Sequence, residues 1–307
     1  MFSFRSFAVN GVNYAQLELD GAKYDLEWKQ NVVQVNEAPR IVVISHVTNQ
    51  NALDLLHTCI QGVKRFTSEA HELWIVDNNS PKKWLKSIIE IPWINWVLNR
   101  TEPRPPEARN LACGSEQSLD QSCFGSYANA IGLEIGASLI DENSKYLMTL
   151  HMDTMPVKYG WLTFLKSKLD SETRAAGMRM DHTRTVNGVL HVLGYMVDFQ
   201  LFRRLDLNFF PKLPGYDVGD QVTVRLREAG YKVFACRNTF WDQELINLIP
   251  RDSPMRDLNV DRSFDDNDEV IFLHLGRGVR RSSGSHTRGT SVEEWLEKTN
   301  NILSLKK

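Results

Sequence analysis

The chain has 307 residues, 42% hydrophobic and 24% charged, which is enough apolar mass for one large α/β domain or two small ones and excludes a disordered chain. Lys plus Arg (36) nearly balances Asp plus Glu (38), for a formal net charge of −2. No global field gathers nucleic acid or coats an anionic membrane, so nucleic-acid partners are excluded and any bound anion must be held locally.

Cys59, Cys113, Cys123 and Cys236 form no C-x-x-C pair, which predicts free thiols in a reducing compartment. The start, MFSFRSFAVNGVNY, lacks the basic and apolar regions of a leader, and no 18-residue apolar stretch occurs. The expected location is cytoplasmic, with peripheral contact at the inner membrane surface left open.

Residues 1–38 alternate weakly around the turn-like Leu19-Asp20-Gly21-Ala22, predicting a small β-hairpin appendage ahead of a main domain over 39–307. RIVVIS (40–45) is a continuous β-branched strand. Ala52, Leu55, Leu56, Cys59, Ile60, Val63 and Phe66 then fall at the three- and four-residue steps of an amphipathic helix. LWIV (73–76) is the next strand and stops at the turn-forming Asp77-Asn78-Asn79-Ser80-Pro81; WINWVLN (93–99) is a third, before the Pro-rich TEPRPPEARN. Ala128, Ile131, Ile135 and Leu139 mark one face of a helix leading into the strand Tyr146–Leu150. Strands separated by helices predict a mostly parallel α/β sheet flanked by helices, with ligands bound beyond the carboxyl ends of its strands.

Further on, GVLHVLGYMVDF (188–199) is strongly apolar, Val218, Val222 and Leu226 mark a helix ending at Gly230, and Tyr231–Ala235 and Val270–Leu273 read as strands. Val292–Leu305 is a final helix. The boundary near 156 divides the main domain into a first half over 39–156 and a second over 157–307.

Asp153 closes the strand at 146 in YLMTLHMDTMP, two residues beyond His151. A carboxylate there can ligate a hard divalent cation beside a phosphate-bearing ligand, or simply cap a turn with Thr154 and Pro156. Asp77 has the same two readings, as a turn former or as an acceptor for the ring N–H of a base. His274 precedes GRGVRRSSGSHTRG, a flexible basic loop whose glycines and arginines suit a diphosphate and equally suit a solvated linker. Asp217 and Asp220 occupy the predicted start of a helix, where acids satisfy orphan amides; a carboxylate fixed there can also take a proton from a hydroxyl nucleophile.

Taken in order, RIVVISHVTNQNALDLLHTCIQGV, ELWIVDNNSP, SCFGSYANAIGLEIGASLIDENSKYLMTLHMDTMP and YDVGDQVTVRLREAGYKV resemble the nucleotide-sugar glycosyltransferases of the GT-A fold, family 2, from about Arg40 to His274. The resemblance implies an inverting hexosyltransferase of polysaccharide biosynthesis. Its donor would be a nucleotide-sugar, of the UDP type by resemblance alone, its acceptor a glycan or lipid-linked glycan, and its cofactor a divalent metal, Mn2+ or Mg2+. Ser45, His46, Asp77, Asn79, Asn129, His151, Met152 and Arg277 would bind the nucleotide. Asp153 and His274 would hold the metal, with His151 in place of the first acid of the D-x-D element. Asp217 would be the general base, in a motif where Tyr216 replaces the usual glutamate and the spacing also admits Asp220.

Two alternatives remain from the sequence. A nucleotidyltransferase would share the arrangement, but such enzymes resemble one another in a glycine-rich loop after the first strand, and ISHVTNQN contains no glycine. A non-catalytic nucleotide-sugar-binding module would account for His151 and Tyr216. Oligomeric state is not written in the sequence.

Overall fold

The computed structural model describes residues 5–104, 121–182, 186, 188–213 and 215–305. Strands β1 (Arg5–Val9), β2 (Val12–Leu19) and β3 (Ala22–Lys29) form an antiparallel meander. The turn joining β2 to β3 holds Asp20 at φ 52° and Gly21 at φ 79°, the paired left-handed residues of a type I′ hairpin. Along β2 the residues Ala15, Leu17 and Leu19 are buried while Gln16 and Glu18 are exposed, so one face packs on the core.

Next come β4 (Arg40–Ser45), α1 (Gln50–Phe66), β5 (Glu72–Asn78), α2 (Lys86–Ile89), β6 (Asn95–Asn99), α3 (Gln121–Leu139) and β7 (Tyr146–His151). Strands β6, β5, β4 and β7 lie side by side and parallel. All six residues of β4 are buried, as expected of a strand covered on both faces. Alternate residues feed two core layers: Ile41 and Val43 pack with α1, Val42 and Ile44 with α3. A Cβ on Gly132 or Gly136 would lie 2.9 Å from Ile44 or 2.7 Å from Val42, so these glycines let α3 press its backbone onto β4. At the start of α1 the Asn49 side chain accepts the Ala52 N–H at 2.9 Å, fixing the chain's exit from the carboxyl edge.

The second half adds β8 (Thr154–Pro156), α4 (Trp161–Ser167), β9 (Thr173–Gly177), β10 (Met180–Asp181), β11 (Val189–Leu190), β12 (Gly194–Asp198) and α5 (Phe199–Arg204). It continues with α6 (Asp220–Glu228), β13 (Lys232–Ala235), β14 (Arg237–Asn238), β15 (Asp261–Phe264), β16 (Val270–His274), α7 (Gly278–Ser282) and α8 (Val292–Ser304). The large sheet has the order β1-β2-β3-β6-β5-β4-β7-β12-β9-β13, and a smaller sheet has the order β14-β15-β16-β8. The predicted α/β class, with a central parallel sheet between helical layers, is observed.

Three details differ from the sequence reading. The N-terminal strands do not stand apart, because β3 pairs antiparallel with β6 and extends the central sheet. Asp217 does not cap the helix that follows it: α6 begins at Asp220 behind Gly219, whose φ of +74° breaks the chain's direction there. The basic segment after His274 is folded rather than a solvated linker. It includes α7, and Arg281 donates from Nε to the Gly276 carbonyl and from Nη1 to the carbonyls of Arg288 and Thr290. Cys59 and Cys236 are buried free thiols, whereas Cys113 and most of the Pro-rich segment lie outside the described residues. Among the described residues no helix is long and apolar enough to cross a membrane.

Candidate functional site

The small sheet meets the large one at the carboxyl end of β7. His151 ends that strand, Asp153 follows in the turn, and β8 then pairs antiparallel with β16 so that Thr154 stands opposite His274. His151, Asp153 and His274 thereby offer ligand atoms all within 4.8 Å of one another. Two ligands sharing a divalent ion at about 2.1 Å each stand roughly 3–4 Å apart, so the group fits a metal with only small movement.

The surroundings fix these side chains. His274 Nδ1 lies 3.0 Å from Asp261 Oδ2. A carboxylate can only accept, so Nδ1 carries the proton of that bond, and Nε2 lies 3.8 Å from Asp153 Oδ2. Asp261 is anchored in turn by Arg179, whose Nη1 donates to the same oxygen at 2.6 Å. Burial would raise the Asp261 carboxyl, yet the His274 and Arg179 contacts hold it below the usual carboxylate range. On the other side, Asn129 of α3 places Nδ2 2.9 Å from His151 Nε2.

Asp153 is gripped from the basic segment. Its carbonyl accepts the Leu275 N–H at 3.0 Å and its Oδ2 accepts the Gly278 N–H at 2.8 Å. Only glycine allows this approach, since a Cβ at 278 would stand 2.5 Å from Asp153 Cβ. Arg277 is exposed beside this contact, with φ 58° and Nη1 3.3 Å from His286 Nδ1.

The remaining nucleotide candidates line the same edge. Ser45 ends β4 opposite Asp77, and Ile44 is opposite His151, so Asp77 is two strand spacings, roughly 10 Å, from the triad. Its buried carboxylate accepts the Ser80 N–H at 2.9 Å and the Ser80 hydroxyl, closing the turn, and burial raises its pKa. The turn-forming reading therefore accounts for the contacts of Asp77. His46 and Asn79 are half-buried at that edge; His46 Nδ1 is 3.0 Å from the Asn78 carbonyl, and Asn79 has φ 67°. Met152 packs in the core.

Asp217 and Asp220 share a turn. The Asp220 carboxylate is fully buried and accepts the Asp217 N–H at 2.8 Å, while half-buried Asp217 accepts the Val218 N–H at 2.6 Å. Asp261, Arg179 and His191 escaped the sequence reading, and Gly278 entered it only as a glycine of a flexible anion-binding loop. His191 occupies the turn between β11 and β12, its ring centroid 6.0 Å from His151 and 6.4 Å from His274, and its Nδ1 accepts the Leu193 N–H at 3.1 Å. Its only sequence signal is a lone histidine in an apolar run.

No protein-family model matches the chain, and no curated protein matches it in sequence. Among solved structures it is similar to the galactosyltransferase LgtC in complex with donor and acceptor sugar analogues, at 11% identity over 87% of this chain and 98% of that one, with a TM-score of 0.48. It is also similar to the mannosyltransferase PcManGT from Pyrobaculum calidifontis in complex with GDP-Man and Mn2+, at 14% identity, 64% coverage of this chain, 55% of that one and a TM-score of 0.43. A third is the catalytic domain of Drosophila β1,4-galactosyltransferase 7, at 12% identity, 85% and 79% coverage and a TM-score of 0.39. These are resemblances at low TM-score and carry no functional argument, which rests on the residues of this chain.

Proposed function

We propose that the chain is an inverting glycosyltransferase of the GT-A type, family 2, moving a hexose from a nucleoside diphosphate donor, UDP first among them, to a hydroxyl of a glycan or lipid-linked glycan. The observation that carries the reading is the convergence of His151, Asp153 and His274, from two distant parts of the chain, at the carboxyl edge of the parallel strands.

The donor base would lie over the β4–β5 edge beside Ser45, His46 and Asn79, with Asp77 holding the turn from beneath. Its diphosphate would lie between the triad and the Gly276–Arg281 segment, where Arg277 is exposed. His151, Asp153 and His274 would hold the divalent metal, which when bound supplies positive charge against the leaving diphosphate. Asp217 accepts the proton of the acceptor hydroxyl as that oxygen bonds to the anomeric carbon, and the bond from that carbon to the diphosphate oxygen breaks on the opposite face. Asp217 is preferred to Asp220 because it retains exposure, whereas the Asp220 carboxylate is sealed against the Asp217 N–H.

A panel of sugar nucleotides, assayed for transfer and for slow donor hydrolysis, tests the reading. Release of a nucleoside diphosphate from one donor, lost in Asp153→Asn, is the expected result. Nucleotide binding without turnover of any donor would favour the non-catalytic module.

A further inference from the structure

The donor set of the candidate centre points to a particular class of ion. Two of its three groups are imidazoles, and each is braced by a partner outside the set. Asp261 receives the Nδ1 proton of His274 and is itself held by buried Arg179. Asn129 meets His151 at Nε2, and Oδ1 of the same amide is buried with no hydrogen-bond partner. Each imidazole thus has one nitrogen engaged by a residue outside the set. This outer support is characteristic of histidines that ligate metal.

We infer that His151, Asp153 and His274 form a self-sufficient centre that binds a first-row transition ion of the Zn2+, Co2+ and Mn2+ class before any nucleotide arrives, and that it discriminates against Mg2+ and Ca2+. Imidazole nitrogen suits the transition ions, whereas Mg2+ and Ca2+ demand oxygen and would find one carboxylate. The second consequence is electrostatic. With a single carboxylate the occupied centre keeps one net positive charge, which a pair of aspartates would cancel, so it attracts the diphosphate more strongly.

The inference rests on the metal-binding part of the proposed function and on no part of the transfer chemistry. Its test uses the full chain, freed of metal by chelation, titrated calorimetrically with MgCl2, CaCl2, MnCl2, CoCl2 or ZnCl2 alone, with the visible absorption of Co2+ followed in parallel. The expected result is one-to-one binding of Co2+ and Zn2+, weaker binding of Mn2+, and none of Mg2+ or Ca2+ at the same concentrations. Asp153→Asn, which can still accept the Gly278 N–H, and His274→Ala should abolish the Co2+ spectrum. Asp261→Asn should weaken binding by about 10–100-fold and shift the Co2+ bands, a change that loss of fold alone would not give. The inference is overturned if the folded wild type fails to bind Co2+ and Zn2+, if Mg2+ binds as tightly as Co2+, or if both ligand variants bind Co2+ undiminished. Metal binding as expected, without turnover of any donor, would refute the transferase reading and leave the centre standing.

Discussion

Replacement of Gly278 by alanine isolates the tightest contact around the candidate centre. The new Cβ would stand 2.5 Å from Asp153 Cβ, 3.0 Å from its Cγ and 3.1 Å from its Oδ2, where carbon atoms prefer about 3.5–4.0 Å. Gly278 is not among the positive-φ positions, so alanine brings no backbone penalty and the clash is the whole perturbation. Relief requires roughly 1 Å of movement. Asp153 resists it, because its carbonyl and carboxylate are bonded to the N–H groups of Leu275 and Gly278. Overpacking of this kind costs about 1–3 kcal/mol, and weakening a charge-assisted hydrogen bond adds to it, so Gly278→Ala should lose about 2–4 kcal/mol in urea unfolding of the metal-free protein. The displaced carboxylate should also weaken Co2+ binding by at least about tenfold, since ligand position governs affinity. Wild-type stability together with wild-type Co2+ affinity would refute the packing argument.

Three further outcomes follow from other parts of the structure. Burial pushes the Glu134 carboxyl, which accepts the Phe209 N–H at 2.5 Å, up to about 7. Its protonated form stabilises the fold fully below the unfolded value of 4.5, and that contribution is lost as pH rises through about 7. Wild type should therefore lose up to about 3 kcal/mol relative to Glu134→Gln between pH 4.5 and pH 8 in urea titrations, and equal pH profiles would contradict the assignment. The buried Arg262 guanidinium donates to the carbonyls of Met255, Val260, Arg256 and Leu258; Arg262→Ala orphans them and should cost at least about 3 kcal/mol in thermal unfolding, with an unchanged midpoint as the contrary result. Asp217→Asn should reduce turnover by about 10²–10⁴-fold while nucleotide affinity holds; retained turnover would transfer the base to Asp220.

The parallel strands were legible because β4, β5 and β7 are buried on both faces and leave uninterrupted apolar runs, and α1 because its buried residues repeat at helical spacing. Asp153 and His274 were legible for the same reason, as polar groups where such runs stop. Their convergence was expected only from the family resemblance and not from local pattern, since it depends on β8 pairing with β16 more than a hundred residues later. Asp261 reads locally as one more charge in a polar stretch, and only the β15–β16 register brings it opposite His274. Gly278 looked like loop flexibility, yet its missing side chain is a packing requirement set by Asp153. Asp217 was read as a helix cap because acid, turn and apolar spacing agreed there; the left-handed Gly219 shifted the helix start to Asp220.

The central claim is that the triad and the adjoining strand edge bind a nucleoside diphosphate through a metal. Calorimetric titration of the full chain with UDP, GDP and dTDP, each with and without Mn2+, addresses it directly. Saturable binding of one nucleotide, strengthened at least about tenfold by Mn2+ and losing that gain in Asp153→Asn, is the predicted result, equivalent to about 1.4 kcal/mol. No binding of any nucleotide to the folded protein, or binding indifferent to both Mn2+ and Asp153, would contradict it.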